Sequence, residues 1–505
     1  MAHTFFDYYK LLFDKGLVSY CDFYDCESTP VRSICYNSSN AKPGCLFVCK
    51  GESFKQEYLI SAIELGASFY ISEKKYSINS DVPYIIVSDV RKALAEISNM
   101  FFNYPSRSLQ TFAVTGTKGK STVCLFIKQI LDAHYASLNK AQCGMISTIE
   151  TFDGLTYEES VNSTPESYEL QRFLSNGVCA KLEGFSVEVS SQGIKQCRIH
   201  GIEFDTGVFL NIGQDHISPN EHKDFEDYFS TKLRLFDQCK RAVVNTDCEF
   251  SDRILQNAVD NCDTVVTFGK TPASDVYVYD VSKSGSSTVF RCRTDDYDEE
   301  FTLSVPGFFN VENVAAAIAA TMHLGISAQT VRKAIENVKV PGRMEMYSTK
   351  DNSIAICTDY AHNALSFETL ITSLRAEYPG RRLLMVFGAP GGKALNRRRD
   401  LGTASGKLAD HTYITSDDPN FEDPEQIARE IAVYVENAGG SYDIIVDREE
   451  AIRTAFKNAP AGSIIVLAGK GRQGYVVVNG SNVPYKRDDE IAVELIEEYD
   501  KLTLA

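Results

Sequence analysis

The chain has 505 residues, more than one hydrophobic core usually serves, so we expect two to four domains. Its formal net charge of −17 at pH 7 argues against nonspecific binding to nucleic acid, and we expect no nucleic-acid partner. The 14 cysteines form no paired Cys-x-x-Cys sets near histidines, and the longest apolar stretch, 314–326, is too short to span a membrane. These features, and a start without a basic and apolar leader, predict a cytoplasmic protein with free thiols.

The first region, residues 1–108, alternates short strands and helices. Apolar runs at 45–49 and 84–87 predict strands. Periodic apolar residues at 59–65 and 91–102 predict helices, and the polar, proline-containing end of the region predicts a linker. We therefore expect a separate N-terminal domain.

The most informative segment of the chain, Thr115-Gly-Thr-Lys-Gly-Lys-Ser121, opens the second region. The apolar residues 112–114 before it predict a strand, and the pattern at 123–131 after it predicts a helix. Glycines let backbone N–H groups approach phosphate oxygens, and a helix N-terminus adds the positive end of its dipole. We expect Lys120 to reach the outer phosphates of a nucleoside triphosphate and the Ser121 hydroxyl to bind Mg²⁺. The alternative is an ordinary strand-to-helix turn.

Further strands alternate with helices up to about residue 340. The apolar runs lie at 185–189, 206–211 and 241–245. This alternation predicts a mainly parallel sheet covered by helices.

Three polar residues of the second region are candidate ligands. Glu188 ends a predicted strand, where a carboxylate can hold Mg²⁺ beside phosphates or can simply face water. His216 follows the next strand at the edge where α/β sheets bind ligands, although a structural role is the alternative. The pattern around Lys232 is that of a solvated helix lysine.

The third region repeats the strand and helix alternation from residue 341 to the end. It predicts a second doubly wound α/β domain. The predicted strands lie at 354–358, 383–387, 412–415, 444–446 and 464–468.

Glycine-rich and basic loops follow several of these strands. Gly469-Lys-Gly-Arg-Gln-Gly474 matches a dinucleotide fingerprint, but a strand pattern follows it instead of a helix, so we expect no NAD site and no hydride transfer. The same loop can still bind a substrate. The loop 388–393 and Arg397-Arg-Arg399 suit carboxylates or phosphates, or form a basic surface. Asp359 and His362 also end a strand.

Taken together, these segments resemble the Mur ligase family over nearly the whole chain. The resemblance implies an α/β protein of three domains: a UDP-binding domain over 1–108, a central P-loop-type ATPase domain over 109–340, and a Rossmann-like amino-acid-binding domain over 341–505. It rests on the phosphate loop, Ser163-Thr-Pro-Glu166, Glu188-Val-Ser-Ser191, Asn211 to His216, Asn310 with Asn313, Gly342-Arg-Met-Glu345, Asp359-Tyr-Ala-His362 and Gly469-Lys-Gly471.

The family chemistry implies a ligase that adds the third amino acid in peptidoglycan precursor synthesis. ATP would phosphorylate the terminal carboxylate of UDP-N-acetylmuramoyl-L-Ala-D-Glu, and the amine of the amino acid would attack the acyl phosphate. Lys118 and Lys120 would stabilise charge on the transferred phosphoryl group. The resemblance also implies a monomer.

The resemblance implies two Mg²⁺ sites and a modified lysine. Ser121 and Glu188 would bind one Mg²⁺, and His216 would bind a second. Lys232 falls on a position that such ligases carry as a carbamate derived from CO₂. Carbamylation would turn this cation into an anion able to bind Mg²⁺, which reverses the solvated-lysine interpretation.

The remaining assignments follow position by position. In the first domain, Ser38 would contact the uridine, within Asn37-Ser-Ser39 where the family usually has Asp-Ser-Arg. The muramoyl dipeptide would contact Ser163, Thr164, Ser190, Gln196 and Arg198. The ATP contacts would be Thr115, Gly116, Thr117, Gly119, Ser121, Thr122, Asn310, Asn313, Arg343, Asp359 and His362.

Two motifs bear on which amino acid is added. Diaminopimelate-adding members carry Asp-Asn-Pro-Arg and Gly-Lys-Gly-His-Glu, where this chain has Asp417-Asp-Pro-Asn420 and Gly469-Lys-Gly-Arg-Gln473. Loss of the arginine removes a charge-assisted partner for the second carboxylate, worth about 1.5–3 kcal/mol.

The altered motifs predict an acidic amino-acid pocket. Asp417 and Asp418 would suit a single side-chain ammonium, with Gly469 and Gln473 beside them, and Arg398 would bind the α-carboxylate. We therefore expect L-lysine as the amino acid, with ornithine and meso-diaminopimelate as alternatives.

Two further hypotheses stay open on the sequence. A folylpolyglutamate synthase-like ligase is disfavoured by the separate N-terminal domain. A non-catalytic nucleotide-binding protein is disfavoured because Lys120, Glu188, His216 and Lys232 occur together.

Overall fold

The part of the chain that the structure describes contains three large β-sheets covered by helices and one two-stranded sheet. No helix within the described ranges is both long enough and apolar enough to cross a membrane. The computed structural model describes residues 3–23, 26–51, 54–158, 162–214, 217, 221–285 and 287–503.

The first sheet has five strands in the order β1-β5-β4-β3-β2, and only β1 runs antiparallel to its neighbour. Its first helix begins at Thr4, whose hydroxyl accepts the Asp7 N–H while the Asp7 carboxylate accepts the Thr4 N–H. This reciprocal cap satisfies two backbone donors at the helix start. The elements are α1 (Phe5–Asp14), β1 (Val18–Asp22), β2 (Ser33–Cys35), β3 (Cys45–Val48), α2 (Gln56–Glu64), β4 (Ala67–Ser72), β5 (Tyr84–Val87) and α3 (Val90–Phe101).

The predicted linker after α3 has a regular structure. Pro105–Ser108 form a short 3-10 turn in which Pro105 and Ser106 are buried, and the chain then enters the second sheet.

The second sheet has eleven strands, with a parallel centre that confirms the prediction. Its order is β16-β15-β14-β13-β12-β11-β6-β10-β7-β8-β9. The elements are β6 (Gln110–Thr115), α4 (Lys120–Ser137), β7 (Cys143–Ile146), β8 (Thr151–Phe152), β9 (Tyr157–Glu158), α5 (Ser167–Cys179), β10 (Gly184–Glu188), α6 (Ser191–Lys195), β11 (Phe204–Phe209), α7 (Phe225–Leu233), β12 (Cys239–Asn245), α8 (Ser251–Asn261), β13 (Thr264–Gly269), β14 (Val276–Ser284), β15 (Ser287–Arg293), β16 (Asp298–Leu303), α9 (Phe309–Thr321) and α10 (Ala328–Ile335).

Both edges of this sheet are antiparallel, which the sequence analysis did not predict. Strands β14, β15 and β16 pair as an antiparallel meander, and β8 and β9 extend the opposite edge. Buried and more exposed residues alternate along β15, as expected where one face of an antiparallel strand meets the core.

The third sheet is doubly wound, as predicted, with the order β17-β18-β22-β19-β20-β21, and only β17 is antiparallel. A separate hairpin, β23 with β24, follows it. The elements are β17 (Glu345–Ser348), β18 (Ile354–Asp359), α11 (Ala364–Glu377), β19 (Arg382–Phe387), α12 (Asn396–Leu408), β20 (His411–Ile414), α13 (Pro424–Asn437), β21 (Tyr442–Ile444), α14 (Arg448–Asn458), β22 (Ser463–Ala468), β23 (Tyr475–Val478), β24 (Ser481–Pro484) and α15 (Asp488–Thr503).

Candidate active site

A cavity of about 700 Å³ lies between the second and third sheets. The carboxyl ends of β6, β10 and β18 all reach it, which is the edge where α/β sheets bind ligands. Predicted site residues that line it are Thr117, Lys118, Gly119, Lys120, Ser121, Thr122, Ser163, Glu188, Ser190, Gln196, Arg198, Asn310, Asn313, Arg343, Asp359 and His362.

The phosphate loop joins β6 to α4 as predicted. Gly119 has a φ of +84°, and a Cβ there would lie 2.6 Å from the Asn313 side-chain oxygen, so only glycine fits. The loop is anchored to Asn211, whose carbonyl accepts the Thr117 N–H at 3.0 Å and whose side-chain oxygen accepts the Lys118 N–H at 2.8 Å. Helix α4 then begins at Lys120, which directs its N-terminus at the cavity.

Ser121 and Glu188 meet in the cavity. The Ser121 hydroxyl donates to Glu188 Oε2 at 2.8 Å. Thr148 completes the group, because its N–H and its hydroxyl donate to the same carboxylate oxygen at 3.0 and 3.1 Å. The sequence analysis missed Thr148, although it lies just beyond strand β7, which pairs with β10 so that Ile146 is opposite Val187.

Two lysines contact the carbonyl groups of the phosphate loop. Lys120 Nζ donates to Gly116 O at 3.2 Å and to Thr117 O at 3.3 Å. Lys232 is not a solvated lysine: it is 1% exposed, and its Nζ donates to Gly116 O at 2.9 Å and to Thr115 Oγ1 at 3.4 Å. Its Nζ also lies 4.9 Å from the centre of the Tyr228 ring. Lys232 therefore binds the phosphate loop on its buried side.

Lys118 links the second and third sheets. Its ammonium donates to the side-chain oxygen of Asn363 at 2.5 Å. Asn363 is also the N-cap of α11, where the same oxygen accepts the Ser366 N–H at 3.1 Å. The sequence analysis missed Asn363, which follows directly after the Asp359-Tyr-Ala-His362 motif.

Charged groups of the third domain face the loop. The Asp359 carboxylate accepts the N–H groups of Met344 and Ala361, both at 2.7 Å, and burial raises its pKa although Arg343 nearby opposes the shift. The Arg343 guanidinium lies over the Tyr360 ring at 4.6 Å. His362 Nδ1 lies 2.7 Å from the Tyr360 carbonyl oxygen, which can accept a hydrogen bond from Nδ1–H in the tautomer whose Nε2 is the acceptor nitrogen.

Asn310 and Asn313 lie on α9 at the opposite side of the loop. Asn313 donates to the Asn310 side-chain oxygen at 2.7 Å, and Asn310 donates to Pro306 O at 2.5 Å. This chain of bonds orients both amides toward the cavity.

Four of the residues predicted to hold the dipeptide line the cavity, namely Ser163, Ser190, Gln196 and Arg198, whereas Thr164 is fully buried and does not line it. Thr164 donates to the Glu188 carbonyl at 2.9 Å, and its hydroxyl oxygen lies 3.1 Å from that of Ser190. Arg198 donates to Thr164 O and to the Gln196 side chain, both at 2.8 Å, and pairs with Glu166 at 3.1 Å.

Lys50 of the first domain shares the carboxylate partner of Arg198. Its ammonium lies 2.7 Å from Glu166 and 4.1 Å from the centre of the Tyr36 ring. Burial lowers the pKa of Lys50, and Glu166 opposes that shift. The sequence analysis did not select Lys50 because a lysine after a short strand resembles any surface lysine.

The predicted amino-acid pocket lies in the third domain, outside the lining of this cavity. Asp417 and Asp418 do not form a purely acidic pair, because the buried Lys470 ammonium lies 3.1 Å from Asp417 and 2.5 Å from Asp418. Arg398 is likewise already paired, with Glu422 at 2.8 Å and Glu430 at 2.7 Å. Arg398, Asp417 and Asp418 therefore all have charged partners within the protein, and their assignment to the amino acid stays a prediction.

The other predicted residues are placed as follows. Asn420 has a φ of +53°, and its side-chain oxygen accepts the Gly480 N–H at 2.9 Å. The N–H of Gln473 donates to the Lys470 carbonyl, and a Cβ on Gly469 would lie 3.2 Å from Asp417 Oδ2. Ser38 lies in the short 3-10 turn Ser38–Asn40 and is not among the residues that line the cavity. His216 lies outside the described residues.

The residues in the cavity fit a magnesium nucleotide. Ser121, Thr148 and Glu188 offer only hard oxygen donors, and Mg²⁺ commonly binds one or two carboxylates together with substrate phosphates. Backbone N–H groups at the start of α4 suit the phosphates.

Family models and known proteins match this chain over most of its length. Residues 114–321 match the Mur ligase middle domain, and residues 342–471 match the Mur ligase glutamate ligase domain. A UDP-N-acetylmuramyl-tripeptide synthetase of Ligilactobacillus salivarius (strain UCC118) is 36% identical over 92% of this chain and 94% of its own length. A UDP-N-acetylmuramoyl-L-alanyl-D-glutamate–L-lysine ligase of Enterococcus faecalis (strain ATCC 700802 / V583) is 37% identical over 92% of each chain.

A solved structure shares the fold. The structure of a UDP-N-acetylmuramoyl-L-alanyl-D-glutamate–2,6-diaminopimelate ligase superposes with a TM-score of 0.68 at 24% identity, covering 100% of both chains. The three-domain α/β architecture predicted from the sequence is thereby confirmed.

Proposed function

The chain belongs to the Mur ligase family, and we propose that it uses ATP to join L-lysine to UDP-N-acetylmuramoyl-L-Ala-D-Glu during peptidoglycan precursor synthesis. Relatives from Enterococcus faecalis and from streptococci that share 35–37% identity over 92–93% of this chain carry the name of that lysine ligase. The folylpolyglutamate synthase-like and non-catalytic hypotheses are not favoured by these relatives.

One arrangement carries the proposal. The Ser121–Glu188 pair and the phosphate loop of the second domain share a single cavity with Arg343 and Asp359 of the third domain. A carboxylate bound along the wall of Arg198 would therefore lie beside the phosphate site, which is the arrangement that carboxylate phosphorylation requires.

The lysines of the loop supply positive charge. Lys120 now bonds the loop carbonyls, and an incoming phosphate would offer it stronger acceptors. Lys118, held across the cavity by Asn363, would neutralise charge on the transferred phosphoryl group.

Ser121, Thr148 and Glu188 would hold the Mg²⁺. The ion would neutralise phosphate charge during transfer. The assignment of His216 to a second Mg²⁺ stays a prediction.

Carbamylation of Lys232 is part of the proposal. A carbamate keeps one N–H, so the bond to Gly116 O can persist, and the Thr115 hydroxyl can donate to the new carboxylate. The buried position explains why an unmodified ammonium would need these partners.

The test is identification of the product by mass spectrometry. Purified protein with ATP, Mg²⁺, UDP-N-acetylmuramoyl-L-Ala-D-Glu and L-lysine should yield the dipeptide substrate plus lysine minus water, together with ADP and phosphate. Lys120→Met should abolish the product, whereas Lys140→Met, a change at an exposed lysine paired with Glu183, should not. An unchanged substrate with the wild-type protein would overturn the proposal.

A further inference from the structure

A buried lysine balances the two aspartates of the predicted amino-acid pocket. The Lys470 side chain follows β22, is fully buried, and its ammonium bonds Asp418 at 2.5 Å and Tyr475 O at 3.2 Å while lying 3.1 Å from Asp417. Burial of an ammonium is costly unless charged partners compensate it, so these contacts hold Lys470 in place.

Asp418 also connects residues 417–420 to the hairpin β23–β24 by a hydrogen bond. The carboxylate oxygen that binds Lys470 accepts the Val477 N–H at 3.0 Å. The neighbouring Asn420 continues the attachment, because its N–H donates to Val477 O and its carbonyl accepts the Asn479 N–H. Residues 417–420, Lys470 and hairpin β23–β24 therefore form one connected unit.

The charges of this unit sum to minus one, from two carboxylates and one ammonium. The nearby Arg448 does not change the sum, because its guanidinium is bonded through two nitrogens to Asp488. If position 418 carried the asparagine of diaminopimelate-adding members, Lys470 would neutralise Asp417 and the sum would be zero.

We infer that Asp418 is a specificity-determining residue that acts through Lys470. Asp418 neutralises the positive charge of this lysine. One negative charge, on Asp417, is then left for the single side-chain ammonium of the amino acid. This inference rests on the proposed function. It assigns to Asp418 a charge-setting role at a distance from the substrate, and to Lys470 the role of a positioning residue.

Asp418→Asn removes the negative charge of this residue and keeps its hydrogen bonds to Lys470 and to the hairpin. An asparagine can still accept from Lys470 and from Val477, so the hairpin stays attached while the pocket loses its net charge. We expect the KM for L-lysine to rise about tenfold with KM for ATP unchanged. Asp423→Asn is the matched control, because Asp423 caps α13 at the surface and asparagine caps equally well.

The double variant Asp418→Asn/Lys470→Met completes the test. It removes one charge of each sign and restores the sum to minus one, so the KM for L-lysine should return to within about threefold of wild type. The single variant Lys470→Met is the fourth member of the double-mutant cycle, together with the wild type, Asp418→Asn and the double variant.

The outcomes distinguish this inference from the proposed function. A wild-type KM for L-lysine in Asp418→Asn, or a double variant no better than Asp418→Asn, would overturn the inference and leave the ligase intact. A wild-type protein that releases no phosphate with L-lysine would overturn both.

Discussion

At the scale of single residues, Glu188 is the central acid of the cavity. One of its oxygens accepts three hydrogen bonds, from the Ser121 hydroxyl and from two donors of Thr148. These contacts hold the carboxylate beside two hydroxyl oxygens, and grouped oxygens of this kind are the ligands that Mg²⁺ binds in proteins.

Glu188→Gln tests this role. The amide keeps the size of the side chain but loses the charge, so the Mg²⁺ concentration for half-maximal activity should rise about 10- to 100-fold. Phosphate release measured across a Mg²⁺ titration checks this. Glu183→Gln, at a more exposed glutamate paired with Lys140, is the control, and an unshifted titration in Glu188→Gln would contradict the metal assignment.

Lys232 gives a second prediction at this scale. Because a carbamate there would supply an anion that alanine cannot, Lys232→Ala should be nearly inactive, and depletion of bicarbonate should lower wild-type activity. Lys240→Ala, at an exposed lysine paired with Asp205, should leave turnover unchanged. Normal turnover by Lys232→Ala would show that the carbamate is not required.

Residue types at strand ends were predictable, and their partners were not. Ser121 and Glu188 come from recognisable motifs, and the structure brings them into contact. Thr148, Asn363 and Lys470 were missed because their roles depend on which strands are neighbours in space, which residue patterns within one segment do not encode.

At the scale of elements, the start of α11 joins two domains. Asn363 both caps this helix and binds Lys118 of the phosphate loop. One side chain thus couples the stability of a helix end to the position of a cavity lysine.

Two substitutions at Asn363 separate these functions. Serine also caps helices but is too short to keep the bond to Lys118, whereas alanine loses both. We expect kcat/KM for ATP to fall about tenfold in both variants, and only Asn363→Ala to lose about 1 kcal/mol of unfolding free energy. Equal activity of Asn363→Ser and wild type would show that the Lys118 bond does not contribute.

The pattern of strands was predictable in the sheet centres. Buried parallel strands such as β10 and β22 appear as continuous apolar runs, and the predicted positions agree with the structure within a few residues. The antiparallel edges were missed because β14 and β15 alternate buried and exposed residues, a weaker signal than an apolar run.

At the scale of the whole molecule, the site is assembled between domains. The cavity takes residues from the second and third domains. Lys50 of the first domain pairs with Glu166, which also pairs with the cavity residue Arg198. Sites built this way commonly need domain movement when substrates bind and products leave. The domain boundaries at 108 and 340, the monomeric state and the cytoplasmic location stay predictions.

The most direct test of the central claim is phosphate release from ATP in the presence of Mg²⁺ and UDP-N-acetylmuramoyl-L-Ala-D-Glu. L-lysine, L-ornithine and meso-diaminopimelate are added one at a time. We predict release that depends on L-lysine, because Asp417 and Asp418 carry one more negative charge than Lys470 compensates, and position 420 is an asparagine instead of an arginine. Release with meso-diaminopimelate alone would contradict the pocket assignment, and no release with any of the three would contradict the ligase itself.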